Sequence, residues 1–382
     1  MTACKESSRV VVFDSSTEAT TADTKYGKVA GFIDHGVYTY KGIPYAEASR
    51  FEAPHAPAAW TNIRSSRHWG PVCPQAPNTG WRNDQGAFFY QWNDGFQRED
   101  CLRLNVWTKG LNDGKKRPVL VWFHGGGFTS GSGQEHPGYN GRNLADKGDV
   151  VVVTINHRLN VLGHLDLSDF GDKYKYSGNV GLLDIVSSLE WVRDNIAYFG
   201  GDPDNVTIFG QSGGGAKVTS MLSMPSAQGL FHRAMVMSGS GARGANKDAA
   251  REVGRRTAEL LGLNKNNIDE IQSVPYEQLL AAGNQAVREV SQKYAANNQR
   301  GFSWGPVIGG EELPAFFDEG AELLAKDVPL MIGCTLNEFV ASNKPKSATT
   351  WDEAKAELRE SMGPKADKYV DEFRKAYPND PV

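Results

Sequence analysis

Beyond residue 101 the apolar positions of the chain alternate between two patterns. Short unbroken runs rich in β-branched and aromatic residues, at 104–107, 119–123, 150–155, 206–209, 234–237 and 329–333, predict strands covered on both faces. Between the third and fourth runs, Leu182, Val186, Leu189, Val192, Ile196 and Phe199 step by 4, 3, 3, 4 and 3 residues, which aligns them on one face of a helix. Strands alternating with helices predict an α/β fold with a mostly parallel, doubly wound sheet. Ligands of such sheets bind at the C-terminal ends of the strands.

The flanking segments carry other patterns. Residues 1–24 are polar and rich in Ser and Thr and predict a disordered tether, leaving 25–382 as a single domain. Two apolar runs, 29–33 and 37–40, joined by Asp34-His35-Gly36, predict a β-hairpin near the N-terminus. Residues 54–75 are proline-rich and irregular, with Trp60 and Trp69 as packing anchors. Helical spacing over 249–261 and 276–294 marks a helix-rich insertion at about 245–325, of the kind that shapes a pocket. Polar helices are expected at 351–362 and 365–377, and no segment repeats.

Composition narrows the partners. The 382 residues carry a net charge of only −4, with no basic run, which argues against nucleic acid or an anionic membrane surface. The apolar runs are far shorter than a bilayer-spanning helix, and the chain as written opens with no secretory leader. Four cysteines, at 4, 73, 101 and 334, show neither C-x-x-C spacing nor histidine neighbours, so no metal and no cofactor is expected. Cys4 follows small residues as a lipidated bacterial cysteine does, and a lipid anchor there stands beside an arbitrary chain start as an expectation. A bridge between Cys73 and Cys101, 28 positions apart, would imply an exported protein and restrict the unfolded chain by about 3 kcal/mol. Spacing alone leaves that pairing open.

The candidate chemistry lies at two glycine-rich strand ends. Residues 205–215 read Asn-Val-Thr-Ile-Phe-Gly-Gln-Ser-Gly-Gly-Gly, a strand that turns sharply into a helix with Ser212 on the turn. Gly210 and Gly214 flank the serine where strand and helix approach too closely for a Cβ, in the G-x-S-x-G pattern of a hydrolase nucleophile elbow. The turn lifts one hydroxyl clear of the sheet and puts the Gly213 amide at a helix N-terminus, where a developing oxyanion can be held. The run 119–123 leads into His124-Gly125-Gly126-Gly127-Phe128, whose bare amides can converge on one point. A phosphate cradle would need a following Gly-Lys-Ser/Thr, which is missing, so an oxyanion hole of Gly126, Gly127 and Gly213 is the expectation.

These residues resemble the type-B carboxylesterase family, the cholinesterase-like branch of the α/β-hydrolases. The matching blocks are 99–107 (Glu-Asp-Cys-Leu-Arg-Leu-Asn-Val-Trp), the 124–128 loop, 179–184 (Asn-Val-Gly-Leu-Leu-Asp), 199–207 and the elbow, which together span most of residues 26–340. The resemblance implies an α/β-hydrolase fold and a serine hydrolase acting on carboxylic esters, with Ser212 as nucleophile and the three glycine amides as oxyanion hole. It implies further that Glu338 orients a catalytic histidine and that the Cys73–Cys101 loop is closed by a disulfide, in keeping with export. Aromatic residues between those cysteines, Trp81, Phe88, Phe89, Tyr90, Trp92 and Phe96, either pack the loop down or wall a gorge over Ser212 that favours aromatic or bulky apolar esters.

The sequence departs from the family in three places. Gly213 stands where alanine is usual, and Asn337-Glu338-Phe339 replaces Asp-Glu-Gly. The third concerns the base. The eight histidines are His35, His55, His68, His124, His136, His157, His164 and His232, and none follows Glu338, whereas the family places its histidine beyond the acid. The expectation is therefore an esterase truncated at its C-terminus, short of its last strands and its catalytic histidine. The alternative is a non-catalytic relative used for binding or adhesion.

Overall fold

Among the described residues nine segments pair into one sheet; six overlap the apolar runs beyond residue 101, two form the expected hairpin, and Phe13–Asp14 lies within the segment expected to be a tether. The computed structural model describes residues 13–76, 95–239, 245–296, 301–335, 350–363 and 365–378. The sheet strands are β1 (Phe13–Asp14), β2 (Phe32–Asp34), β3 (Val37–Pro44), β4 (Arg103–Thr108), β5 (Arg117–Phe123), β6 (Val151–Ile155), β7 (Gly201–Gln211), β8 (Arg233–Met237) and β9 (Leu330–Gly333). Their spatial order is β1-β2-β3-β4-β6-β5-β7-β8-β9. The neighbours β6, β5, β7, β8 and β9 run parallel, as the α/β reading expects. The strands from β1 to β4 pair antiparallel, and β4 is antiparallel to β6, so the sheet is mixed.

Within the antiparallel half the β2–β3 pair follows from a short connection, which cannot cross over a sheet face. Asp34 pairs with Val37 across a two-residue turn, His35 at φ 51° and Gly36 at φ 79°. Two positive φ values make a turn whose twist matches its strands. The preceding run divides at Gly31, because Gly27–Ala30 joins a separate three-stranded sheet with Thr21–Thr24 and Arg64–Ser65. A Cβ at Gly31 would lie 2.2 Å from the carbonyl of Thr39, which is why the chain crosses there on a glycine.

Burial explains the parallel half. Val119, Val121, Phe123, Val151, Val153 and Ile155 are all fully buried, and each such side chain contributes roughly 1.5–3 kcal/mol. Helix α1 (Val180–Asn195) supplies the cover on one side, with Leu182, Ile185, Leu189 and Val192 at 0% exposure, and a short 3-10 turn carries the stripe on to Phe199. Helix α2 (Gly213–Leu222) follows β7 directly. The expected insertion is present as α3 (Lys247–Leu260) and α4 (Tyr276–Ala296), which pack on each other through small and branched residues such as Ala249, Val253, Leu279 and Ala286.

The chain divides into two compact units, Met1–Cys334 and Thr335–Val382. Within the second, α5 (Trp351–Met362) starts on a capping box between Thr350 and Glu353 and packs against α6 (Lys365–Ala376) through Trp351 and Phe373, ring centroids 6.2 Å apart. Ion pairs Lys355–Asp371 and Arg359–Asp367 join the same two helices.

The expected bridge between Cys73 and Cys101 is not formed in this structure. Both are buried free thiols, and they are neighbours: a hydrogen bond to Cys73, then burial, pushes the Cys101 thiol well up. The Cys73 sulfur instead accepts the amide of Leu159 at 3.2 Å. Cys4 lies outside the described residues.

One buried ion pair ties the strand ends to α1. Arg158, just past β6, gives Asp184 two side-chain hydrogen bonds of 2.9 and 2.7 Å and its own amide at 2.9 Å. Its remaining nitrogen donates to the carbonyls of Ser49 and Glu52. Removing one partner would leave an uncompensated buried charge, so Asp184→Ala is expected to lower unfolding stability by about 3–5 kcal/mol in a denaturant titration. The same titration of Asp146→Ala, which breaks an exposed pair with Lys109, should show no resolvable change. Gly214→Ala should destabilise by about 1–3 kcal/mol, because its Cβ would sit 2.0 Å from the carbonyl of Phe123.

Candidate active site

Strands β5 and β7 lie side by side in parallel register, Trp122 opposite Phe209 and Phe123 opposite Gly210. Both glycine-rich loops therefore leave the sheet at the same edge, one residue beyond that last pair. The register puts His124 level with Gln211 and the glycines of one loop over the serine of the other.

Ser212 sits at φ 56°, ψ −123°, a conformation that non-glycine residues rarely adopt. Three groups hold it there. Its amide donates to the carbonyl of Met237 at 2.9 Å, and its carbonyl accepts from Ala216 at 3.1 Å in the first turn of α2. Gly239 closes on it from the β8 side, where a Cβ would come 1.8 Å from the Ser212 carbonyl. Gly210 and Gly214 are in the contact expected of them, a Cβ on Gly210 lying 2.4 Å from the carbonyl carbon of Gly214. The serine is exposed at the tip of the turn.

The facing loop meets it closely. A Cβ on Gly125 would lie 3.6 Å from the Cβ of Ser212, and one on Gly213 would lie 2.4 Å from the amide nitrogen of Gly127. The two loops pack tightly only because residue 213 has no side chain, which gives the departure from alanine a physical reason. Gly126 and Gly127 adopt φ 81° and 61° and are exposed beside the serine. Among the described residues, the amides of Gly126, Gly127 and Gly213 donate to no backbone carbonyl. The structure thus gathers Ser212, Gly126, Gly127 and Gly213 at one edge. Glu338 lies outside the described residues, as do Trp81, Phe88, Phe89, Tyr90 and Trp92; Phe96 is described and exposed.

The histidines occupy other places. His124 and His157 are buried behind the loop and stack with ring centroids 5.1 Å apart. Burial, and next the Lys217 ammonium, hold both imidazoles well below their ordinary range. Burial pushes His164 down to about 3. His232 accepts the amide of Val206 at 3.2 Å, six residues before Ser212 on an extended strand and so roughly 20 Å from it. His136 caps a short 3-10 helix, and His35, His55 and His68 are exposed on the N-terminal segments. Among the described residues no histidine hydrogen-bonds to Ser212. Nor does any group of His, Cys, Asp and Glu among them have the arrangement of a metal site.

Lys217 escaped the sequence reading. It sits inside α2, all ten residues of which are buried, and donates to the carbonyls of His124 at 2.9 Å and Gly127 at 2.8 Å. The available signal was a lone lysine amid Ala216, Val218, Met221 and Leu222, on a helix otherwise too apolar to have a wet face.

Residues 18–376 match the model of the Carboxylesterase family. The chain is 39% identical to the para-nitrobenzyl esterase of Bacillus subtilis (strain 168), covering 87% of this chain and 66% of that protein. It is 35% identical to the phenmedipham hydrolase of Pseudarthrobacter oxydans, covering 83% and 61%. It therefore spans under two thirds of the length of either relative. Among solved structures, a thermophilic PNB esterase superposes with a TM-score of 0.76 at 37% identity over 93% of this chain and 71% of its own. An esterase of Clostridium hathewayi, described as able to hydrolyse aliphatic aromatic polyesters, gives 0.75 at 38% over 94% and 71%. On these matches the chain belongs to the carboxylesterase family and has the α/β-hydrolase fold.

Proposed function

We propose that the protein is a serine carboxylic-ester hydrolase. The observation that carries this reading is the closeness of Gly213 to the amide of Gly127 beside a strained, exposed Ser212. In the proposed reaction Ser212 Oγ attacks the ester carbonyl, and the carbonyl electron pair moves onto its oxygen. That oxyanion is received by the amides of Gly126, Gly127 and Gly213, and its collapse expels the alcohol and leaves an acyl-serine for water to hydrolyse. The serine proton must go to a base. A Glu338–histidine pair is the proposed carrier, and among the described residues no histidine hydrogen-bonds to Ser212.

The proposed substrate is a small ester with an apolar or aromatic group, in line with the para-nitrobenzyl substrate named for one relative. No helix among the described residues is long and apolar enough to cross a membrane. Export, with oxidation of the neighbouring Cys73 and Cys101 and lipidation at Cys4, is part of the proposal.

A second reading, a non-catalytic binding or adhesion protein, is favoured by the placement of the histidines. A fluorophosphonate probe separates the two. Slow labelling of the wild-type chain and none of Ser212→Ala supports the hydrolase, whereas a wild type that stays unlabelled supports the binding protein. Without a placed base the rate should fall by several powers of ten, so turnover of p-nitrophenyl acetate by this chain is expected to be weak or absent. Robust hydrolysis that disappears in Ser212→Ala would show that one of the eight imidazoles reaches the serine after all.

A further inference from the structure

Lys217 is a fully buried lysine with no carboxylate partner at ion-pair distance among the described residues. The ammonium is instead spent on two carbonyls of the loop that faces Ser212, with the Phe128 ring 5.3 Å away. Burial pushes it down to about 7, against the more distant charge of Glu135, which raises it. A group this costly to desolvate, aimed at a candidate oxyanion loop, invites a functional explanation.

The loop's own bonding supplies one. A trans, planar peptide points its N–H opposite to its C=O, so holding a carbonyl fixes the amide of the next residue. The carbonyl of Gly126 accepts from the amides of Thr129 and Ser130 at 3.3 and 3.2 Å, which fixes the amide of Gly127. The carbonyl of Gly125 lies 2.8 Å from Nδ1 of His124, which fixes the amide of Gly126. A carbonyl only accepts, so that imidazole carries its proton on Nδ1. Lys217 takes the two carbonyls that bracket these peptides, His124 before them and Gly127 after them. It also ties the loop to the helix that begins at Ser212, at the point where Gly213 leaves room for the close approach.

We propose that Lys217 is a positioning residue: its side chain clamps both ends of the 124–127 loop so that the amides of Gly126 and Gly127 face the Ser212 hydroxyl. The inference deepens the hydrolase reading and rests on it for the chemistry, but the clamp itself can be observed without any reaction.

Two readouts test it. In protein carrying carbonyl-13C histidine and 15N glycine, only His35-Gly36 and His124-Gly125 place the two labels across one peptide, so an HNCO spectrum holds those two signals. In Lys217→Met the Gly125 signal should move and the Gly36 signal should stay. The rate constant for phosphonylation of Ser212 by a fluorophosphonate should fall about 10²-fold with the probe's reversible affinity unchanged, since a displaced oxyanion hole acts on the transition state. Lys217→Gln, whose amide can still donate to a carbonyl, should recover part of both and is the variant to use where the methionine fails to fold. A folded variant whose Gly125 signal stays put overturns the clamp, as does a loss of labelling that merely follows a loss of thermal stability. A moved Gly125 signal in a protein whose wild type never reacts upholds the clamp and sinks the hydrolase reading.

Discussion

The whole site depends on the parallel pairing of β5 with β7. Ladder hydrogen bonds from Val119 opposite Val206 to Phe123 opposite Gly210 fix how far each strand extends before its loop begins. A slip of one residue would turn every side chain to the other face and carry the serine past the glycines. The register is protected by burial, since Val119, Val121, Phe123, Val206 and Ile208 sit in the core and would lose that position together. Stability and site geometry are therefore one property here: the apolar runs that drive folding also set the meeting point of two polar loops.

Once the strands are in register, absent side chains decide how close the loops come. A Cβ on Gly213, Gly214 or Gly239 would reach backbone atoms of the opposing segment at 2.4, 2.0 and 1.8 Å. Backbone cannot swing aside as a flexible side chain can, so these contacts leave no room for accommodation. The strained φ of Ser212 belongs to the same constraint. It is held from three directions, by Met237, by the first turn of α2 and by Gly239, which is how a sparsely populated conformation persists.

Much of this was legible in the sequence, for a physical reason. At the centre of the parallel half β6 is buried on both faces, which keeps its apolar run unbroken; 233–237 and 330–333 also lie within a single residue of their expected ranges, although β8 alternates and Leu330, Met331 and Ile332 of β9 are exposed, contrary to the expected cover on both faces. The elbow and glycine loop could be read because close approach leaves glycines in fixed places. What could not be read was tertiary. Nothing in the spacing says that 27–30 leaves the hairpin for a second sheet, since that depends on Thr39 meeting Gly31. Nor does spacing say that the thiols of Cys73 and Cys101 lie together unbonded, or that a lysine at 217 points inward. A charged residue on a helix is read as exposed by default, and only the loop carbonyls above it make the buried position tolerable.

The same lysine bears on why the histidines nearest the loop are poor candidates for the base. His124 and His157 share a water-poor space with each other and with Lys217, and burial already favours their neutral form. A base that takes the serine proton must become a cation. At a ring separation of 5.1 Å, a pair of charged imidazoles would repel by about 3 kcal/mol at an effective dielectric of ~20, before the ammonium is counted. His124 has in addition committed its Nδ1 proton to the carbonyl of Gly125, and breaking that bond to rotate the ring would release the amide of Gly126 from its orientation. The 124–127 loop is thus held by groups that work only while they remain neutral or already charged. In the proposed hydrolase a proton acceptor for Ser212 has to come from outside that cluster, where an imidazolium can be met by a carboxylate instead of a second cation.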